Sequence, residues 1–473
     1  MTELTRRRVA LGDLAMVILA GVFVIAAGLR PPRDVDLYWH RVVGRTLLNG
    51  WWQTGGVDPI SYSSGQPWVP GAWTIEVAYS WLIDTWGYGS ILTLRLVLAT
   101  GFAVALAYAL RRGRPAWAAA VTFAATALPM TGYLQDRPQS VSFILLVPVA
   151  LLLRAGLQGG VGPPWWVYPL AGWAWANIHG YWVMIPVVCV LLALAQVLDH
   201  GHDGVRPALQ WFGKAILATV GAALTPFGLA IVLTPLRLSA ATDVIAEWQP
   251  SNVNLLESWA PALLLGLLAV SWARAGRTVP RGTVFVVVVL AAFAALAIRN
   301  LPVAAILLAP LAADALASWP RRSHRTLTVP RWAPVVTGVV AVCVAALVYS
   351  GIPVVPTGFP SAIAAGLAKS QQPVRLLTDY NLSGFLRDAG GEQVRVAIDG
   401  RADRYGSSTI TAFTDMVSGK PGWQETFERY DPDLVVLHED DVLVELLETR
   451  LGWTVTQTDR GFVMLAPPEP SAR

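Results

Sequence analysis

The first long apolar run of the chain, residues 9–29, reads VALGDLAMVILAGVFVIAAGL and contains one charged residue, Asp13. A helix of this length and composition can cross a hydrocarbon core of about 30 Å. The run follows three arginines, Arg6–Arg8, as a signal sequence would. Because it is long and no convincing cleavage site precedes the charged residues 30–36, we interpret it as an uncleaved anchor.

The composition of the whole chain agrees with this reading. Of its 473 residues, 54% are hydrophobic and only 14% are charged, whereas about a quarter are charged in a typical soluble protein. The apolar runs are continuous rather than alternating, which favours helices over a barrel. The sequence therefore predicts a polytopic α-helical membrane protein and excludes an ordinary soluble one.

Basic residues cluster in short connections between apolar runs, at 6–8, 111–114, 274–281 and 321–325. The positive-inside rule makes these connections cytoplasmic. With the N-terminus inside, the chain threads through the cytoplasmic membrane as a multi-pass protein with its C-terminal segment outside. The eleven spans predicted are 10–29, 88–110, 115–131, 138–155, 165–178, 181–198, 211–226, 254–272, 282–298, 302–318 and 332–350.

The composition changes after this membrane domain, residues 1–350. A Pro-rich linker is predicted at 351–372, followed by an extracytoplasmic α/β domain at 373–467. Its strands are expected in VRLLTDY, VRVAIDG, DLVVLHED, WTVTQTD and FVMLAP, and a helix is expected at 441–450. The segment IDGRADRYG, residues 398–406, is its most distinctive phrase, and a local salt-bridge network is favoured there over a binding role.

The threading places the unusual polar residues on the outer face. Charged groups near a membrane core are costly and are usually functional or paired, so this convergence predicts one site, although any single member could be a structural ion pair. The outer-face residues are Asp34, Asp36, His40, Asp58, Glu76, Asp136, Arg137, Asn177, His179, Glu247, Asn252, Arg299 and Asn300.

The first outer loop, residues 30–87, has the pattern of two lateral helices. Residues 36–48 fit a helix lying in the membrane interface, with Asp34 or Asp36 capping its start. Residues 73–87 fit a second, aromatic helix. Together they would form a lid or cradle over the membrane bundle.

Several phrases carry a resemblance to a known group. They are DLYWHRVVGRTLLNG and DPISY in the first loop, then GYLQDRPQS, WANIHG, LTPFG, AEWQPSN and AIDGRADRYG in this order. The chain resembles bacterial integral-membrane glycosyltransferases of the C-type fold. These are related to the oligosaccharyltransferase, protein mannosyltransferase and aminoarabinose transferase families.

The resemblance implies an inverting transferase that moves a sugar from a polyprenyl-phosphate donor to an extracytoplasmic acceptor. The acceptor would be a glycan, a lipid or a protein, and membrane lipid but no nucleic acid is expected as a further partner. Such families place an acidic general base in the first outer loop. Asp36 is our first choice here, and Asp34 is the alternative base or an orienting partner.

The leaving lipid phosphate needs cations or N–H donors around it. The candidates are Arg137 and Arg299, with His179 and Asn177 as hydrogen-bonding helpers. Further site candidates are His40, Asp58, Glu76 and Glu247. The Asp34-x-Asp36 spacing resembles a metal-binding DxD pair, but two carboxylates without another ligand do not predict a metal, and no cofactor is expected.

The competing interpretation is a non-catalytic membrane protein of the same fold, either a glycolipid transporter or a scaffold for assembly of the cell envelope. Few charges within the spans and no clear repeat of the two halves weigh against a transporter. The first-loop carboxylates weigh against a scaffold.

Overall fold

The computed structural model describes residues 6–32, 34–52, 58–63, 65, 67–238, 245–276, 278–319, 326–330, 352 and 358–468. Its helices are α1 (Leu11–Gly28), α2 (Asp36–Leu48), α3 (Trp73–Trp86), α4 (Gly89–Arg111), α5 (Ala116–Ala127), α6 (Gln139–Leu157), α7 (Val167–Ala176), α8 (Met184–His200), α9 (Val205–Ala222), α10 (Leu229–Leu238), α11 (Trp259–Ala275), α12 (Arg281–Leu296), α13 (Leu301–Ala317), α14 (Ser361–Leu367), α15 (Ser383–Gly390), α16 (Ala402–Val417), α17 (Trp423–Tyr430) and α18 (Val442–Leu451). Its strands are β1 (Arg6–Ala10), β2 (Thr326–Pro330), β3 (Val374–Thr378), β4 (Val394–Val396), β5 (Leu434–His438), β6 (Thr454–Asp459) and β7 (Phe462–Ala466).

The described residues divide into two compact units. The helical unit takes its residues from Met1–Pro32, Gly89–Val232 and Glu247–Val354. The sheet unit takes its residues from Arg33–Tyr88, Leu233–Ala246 and Val355–Arg473. The first loop therefore belongs to the same unit as the C-terminal strands.

The helical unit is built around α13, which is buried along nearly its whole length. Helices α5, α6, α11 and α12 pack against it. On α13, Asp314 forms ion pairs with Arg114 at 2.6 Å and with Arg154 at 2.5 Å.

Strands β1 and β2 form a separate two-stranded antiparallel sheet, from Arg6 opposite Pro330 to Ala10 opposite Thr326.

Six helical segments in the described part of the chain are long and apolar enough to cross a membrane: Leu11–Gly28, Gly89–Arg111, Gln139–Leu157, Gly180–Ala222, Leu256–Ala275 and Ile298–Ala317. These segments indicate a helical membrane protein, and within the described residues there are six of them, not the eleven spans predicted. One segment, Gly180–Ala222, contains both α8 and α9, which pack against each other across the turn at Gly201.

Three of the remaining predicted spans, 115–131, 165–178 and 282–298, correspond to helices that are too short to be counted. The 115–131 span ends early because α5 stops at Ala127 and gives way to a 3-10 turn with Pro129. Helix α7 has only 10 residues and α12 has 16. Hydropathy measures how apolar a run of residues is and does not measure the length of the helix. These helices are apolar but short, so hydropathy alone counted them as spans. The predicted span 332–350 lies outside the described residues.

The sheet unit contains a five-stranded mixed sheet of order β4-β3-β5-β7-β6. β3 is parallel to β4 and to β5, and β7 is antiparallel to β5 and to β6. All five predicted strands are confirmed, as is the helix at 441–450, which is α18. The two faces of the sheet are covered by different helices: α2, α14 and α15 on one face, and α16, α17 and α18 on the other.

A piece of the first loop extends the edge of this sheet. Ser61 forms an isolated parallel bridge with Val396 of β4. The Val396 N–H donates to the Ile60 carbonyl at 3.1 Å, and the Tyr62 N–H donates to the Val396 carbonyl at 3.1 Å. The edge that β4 would otherwise present is thus paired by residues of the first loop.

Helix α2 has the bounds that the sequence predicts, but its apolar face lies in a protein core. Tyr38, Val42, Val43 and Leu47 are buried in one cluster with Leu376 of β3 and Val436 of β5. An amphipathic pattern in a sequence shows that one face of the helix is buried, but it does not distinguish burial in a protein core from burial in a lipid interface. The prediction that this face lies in the membrane interface is therefore replaced by burial in the core of the sheet unit.

The contact between α2 and α3 generates a prediction about stability. A Cβ atom on Gly44 of α2 would lie 1.9 Å from the carbonyl oxygen of Glu76 on α3. We expect Gly44→Ala to force the two helices apart and to destabilise the protein by about 1–3 kcal/mol. Thermal unfolding of the purified protein measures this. Gly213→Ala on α9 is the control, because a Cβ there meets nothing within 4 Å, and equal loss in both variants would contradict the account.

Candidate active site

Asp34 and Asp36 occupy different environments at the start of α2. Asp36 is the first residue of the helix and is half-buried, whereas Asp34 is buried. The Asp34 side chain accepts a hydrogen bond from the Asp36 N–H at 3.1 Å. This is an Asx turn, which orders the entry of the chain into the helix. The N-cap position itself is Val35, without a side-chain cap, so the predicted capping by Asp34 or Asp36 is replaced by this turn.

His40 and Glu76 form a buried pair between α2 and α3. The His40 Nδ1 and Glu76 Oε1 atoms are 3.0 Å apart. His40 follows Asp36 by four residues, so both lie on the same side of α2. Burial raises the pKa of Glu76 to about 8, against the opposing charge of Arg401. At neutral pH the Glu76 carboxyl group is thus largely protonated.

Asp58 is part of a buried ion-pair group, which we call the Arg401 cluster and define as Asp58, Asp399, Arg401 and Arg404. Arg401 contacts Asp58 at 2.9 Å and Asp399 at 2.6 Å, and Arg404 contacts the same oxygen of Asp58 at 2.9 Å. Asp58 also accepts the backbone N–H of Ile60 at 2.8 Å. Asp58 therefore holds the first loop onto the segment 398–406.

The local network expected at 398–406 is confirmed, and it reaches further than expected. Within it, Arg401 donates two side-chain hydrogen bonds to Asp399, at 2.8 and 2.6 Å. Burial acts to raise the pKa of Asp399, but the charge and hydrogen bonds of Arg401 outweigh burial and lower it. The sequence showed these charges to be close together, but it did not show that Asp58 joins them.

The Trp68 side chain of the first loop packs against the Arg401 cluster. The Arg401 guanidinium lies 5.0 Å from the Trp68 ring centre, which is a cation–π contact. Trp68 also donates from Nε1 to Asp403 at 3.1 Å. Burial raises the pKa of Asp403 to about 6. Trp68 is thus a buried side chain that joins the first loop to the segment 398–406.

Tyr380, which sequence reasoning missed, is affected by the charges of both Asp36 and Asp399. Tyr380 follows β3, and its pKa is raised well above the usual value by burial and then by the charges of Asp36 and Asp399. Asp36 and the segment 398–406 thus act on one phenol. The signal available in the sequence was that Tyr380 and Asp399 follow neighbouring parallel strands, β3 and β4, whose carboxyl ends meet at one edge of the sheet.

The other predicted site residues belong to the helical unit. Arg137 and Glu247 form an ion pair at 2.5 Å. The Arg299 guanidinium lies 5.7 Å from the Tyr181 ring centre and 5.4 Å from that of Trp248. The structure thus places two arginines near aromatic rings at the ends of helices in the helical unit.

His179 and Asn177 have defined partners beside this group. His179 Nδ1 accepts the Tyr181 N–H at 3.3 Å, and the two rings meet edge to face. Burial and then the charge of Arg299 lower the pKa of His179 well below its usual value, so His179 is a neutral hydrogen-bonding group. Asn177 donates from Nδ2 to the Trp173 carbonyl at 2.7 Å at the end of α7.

Within the ranges that the structure describes, no three or more His, Cys, Asp or Glu side chains come together in an arrangement that could hold a metal ion.

No model of a known protein family matches the sequence, and no significant match to a curated protein is found.

The burial of Arg401 generates a prediction about stability. We expect Arg401→Met to cost about 3–5 kcal/mol, because it leaves the Asp58 and Asp399 carboxylates buried without their counter-ion. Arg375→Met is the matched control, since Arg375 pairs with Asp431 and Asp433 at the surface and such pairs contribute about 0–1 kcal/mol. Denaturant or thermal unfolding measures both. Similar losses in the two variants would contradict a buried role for Arg401.

The Glu76 carboxyl group generates a prediction about pH. Its pKa in the folded protein is about 8, above the value of 4.5 for an exposed glutamate. Between these two pH values the native protein therefore holds a proton that the unfolded chain releases. The free energy of unfolding should fall as the pH rises from about 4.5 to about 8. The unfolding midpoint of wild type should decline with pH relative to that of Glu76→Gln. Parallel curves for the two proteins would show that Glu76 does not titrate in this range.

Proposed function

We propose that the protein is a membrane glycosyltransferase of the C-type fold, which moves a sugar from a polyprenyl-phosphate donor to an extracytoplasmic acceptor with inversion at the anomeric carbon. The observation that carries the proposal is the environment of Asp36. It is an acidic residue at the start of a helix, half-buried, and placed directly after the first apolar helix.

The other acids of the first loop have defined partners, and Asp84 forms ion pairs with Arg41 and Arg45. Asp34 accepts the backbone N–H of Asp36. Asp58 accepts two arginines. Glu76 is 1% exposed, is paired with His40 and has a raised pKa. We assign proton removal to Asp36 because it starts α2 and is more exposed than Asp34, Asp58 and Glu76.

The proposed step is a single displacement. The acceptor hydroxyl oxygen forms a bond to the anomeric carbon while the bond from that carbon to the donor phosphate oxygen breaks. The hydroxyl proton passes to the Asp36 carboxylate, which acts as the general base. The leaving electron pair stays on the polyprenyl phosphate, whose added negative charge requires cations or N–H donors.

The helical unit supplies the residues that we assign to this phosphate. Arginine suits phosphate because its planar guanidinium can donate two parallel hydrogen bonds. Arg299 is held by aromatic rings, and Arg137 has Glu247 as its counter-ion, so a donor phosphate would replace the Glu247 carboxylate. His179 is neutral and would serve only as a hydrogen-bonding helper, together with Asn177.

The proposed location is the cytoplasmic membrane, with the N-terminus in the cytoplasm and the C-terminal segment outside. The distribution of arginine clusters in short connections supports this orientation. The acceptor would then be a glycan, a lipid or a protein on the outer side. Polyprenyl-linked sugars and membrane lipid are the partners that this assignment requires.

The test is an assay of sugar transfer in membranes that contain wild type, Asp36→Asn or Asp34→Asn at matched levels. We expect Asp36→Asn to lose about 10²–10⁴-fold in rate, because the general base is removed with little change in shape. Asp34→Asn is the matched control. Asparagine also accepts a backbone N–H at a helix start, so this variant should keep most of the activity.

The same assay separates the competing assignments. Loss with Asp34→Asn and retention with Asp36→Asn would move the base to Asp34. Absence of transfer from every donor, with a correctly folded wild-type protein, would favour the non-catalytic transporter or scaffold.

A further inference from the structure

Several buried polar atoms of the sheet unit have no hydrogen-bond partner among the described residues, and three of them belong to neighbouring side chains: Glu76 Oε2, Arg401 Nη1 and Trp39 Nε1. An unsatisfied buried polar group is costly, about 1–3 kcal/mol. Native proteins therefore pair nearly all of them, often with ordered water. Three such atoms in one neighbourhood call for a partner that the described residues do not supply.

These atoms belong to one continuous group of side chains. Glu76 pairs with His40 at 3.0 Å, and the ring centres of His40 and Trp39 are 3.8 Å apart. Trp39 meets Trp68 edge to face with 6.3 Å between ring centres, and Trp68 lies under Arg401.

Two further observations relate these residues. The charge of Arg401 opposes the rise that burial causes in the pKa of the Glu76 carboxyl group. Gly400, the residue before Arg401, lies so close to Trp39 that a Cβ atom there would be 2.5 Å from Trp39 Nε1.

We propose that a bound water molecule sits in this group and links Glu76 Oε2 to Arg401 Nη1. The water accepts one hydrogen bond from Arg401 Nη1 and forms a second with Glu76 Oε2. The indole N–H of Trp39 donates the third. Buried water typically makes about three hydrogen bonds to groups that would otherwise be unsatisfied. This set offers that number.

The charges favour water over an ion. Arg401 is already balanced by Asp58 and Asp399, so an added anion would face two carboxylates. An added cation would face two arginines, since Arg404 contacts Asp58 as well. A neutral ligand avoids both costs. The Glu76 and Arg401 side chains are each 1% exposed, which favours a molecule as small as water over an organic one.

The water would complete a chain of polar contacts through the sheet unit. From α2 the chain runs through His40, Glu76, the water and Arg401 to Asp58 and Asp399. It would therefore connect α2, which carries Asp36, with the segment 398–406. This inference is independent of the proposed transferase activity, because it concerns only the interior of the sheet unit.

The direct test is an experimental structure of the full-length wild-type protein in lipid nanodiscs, at a resolution that shows ordered water. We expect a density peak within about 2.7–3.2 Å of both Arg401 Nη1 and Glu76 Oε2. A direct Glu76–Arg401 hydrogen bond without a peak would overturn the proposal. So would a turn of Arg401 Nη1 onto another protein acceptor.

A pair of variants supplies an independent readout. Glu76→Gln keeps polar atoms for the water and for His40, whereas Glu76→Met has a similar shape and offers a polar atom to neither. We expect Glu76→Met to have a melting temperature lower than that of Glu76→Gln by at least about 3 °C. A methionine variant as stable as the glutamine variant would show that the site is dry and would overturn the proposal.

Discussion

The sheet unit depends on the charge balance around Arg401. This residue is almost fully buried and neutralises two carboxylates, Asp58 and Asp399. One comes from the first loop and the other follows β4, so the ion pairs join two parts of the chain that are far apart in the sequence. A buried charge is tolerated only with its partners in place, and this requirement fixes the loop against the sheet edge that Ser61 extends.

The position of α2 follows from this constraint. Its apolar face completes the core on one side of the sheet, and its first residue, Asp36, acts on Tyr380 together with Asp399. The first loop is thus a part of the folded sheet unit, and the acid that we assign as general base stands on a rigid element. Such rigidity suits a catalytic group, because the geometry of proton transfer must be held closely.

Much of the sheet unit could be predicted from the sequence, because its signals are local. The bounds of α2 and the five strands follow from periodicity and from β-branched runs. The partnership of Asp58 with Arg401 could not be predicted, since no periodicity relates distant residues. The spans were overcounted because hydropathy does not mark where a helix ends, as at Pro129 after α5. The ion pair between Arg137 and Glu247 could not be predicted either, because the order of the spans does not say which side chains meet.

The central claim, that the chain transfers a sugar from a polyprenyl phosphate with inversion, is tested most directly with purified wild-type protein in nanodiscs. The protein would be supplied with a panel of labelled polyprenyl-phosphate sugars and a cell-envelope fraction as acceptor, and the anomeric configuration of the product would be determined by NMR. The account predicts protein-dependent transfer from at least one donor, with the configuration inverted relative to that donor. Retention of configuration, or no transfer from any donor, would contradict it.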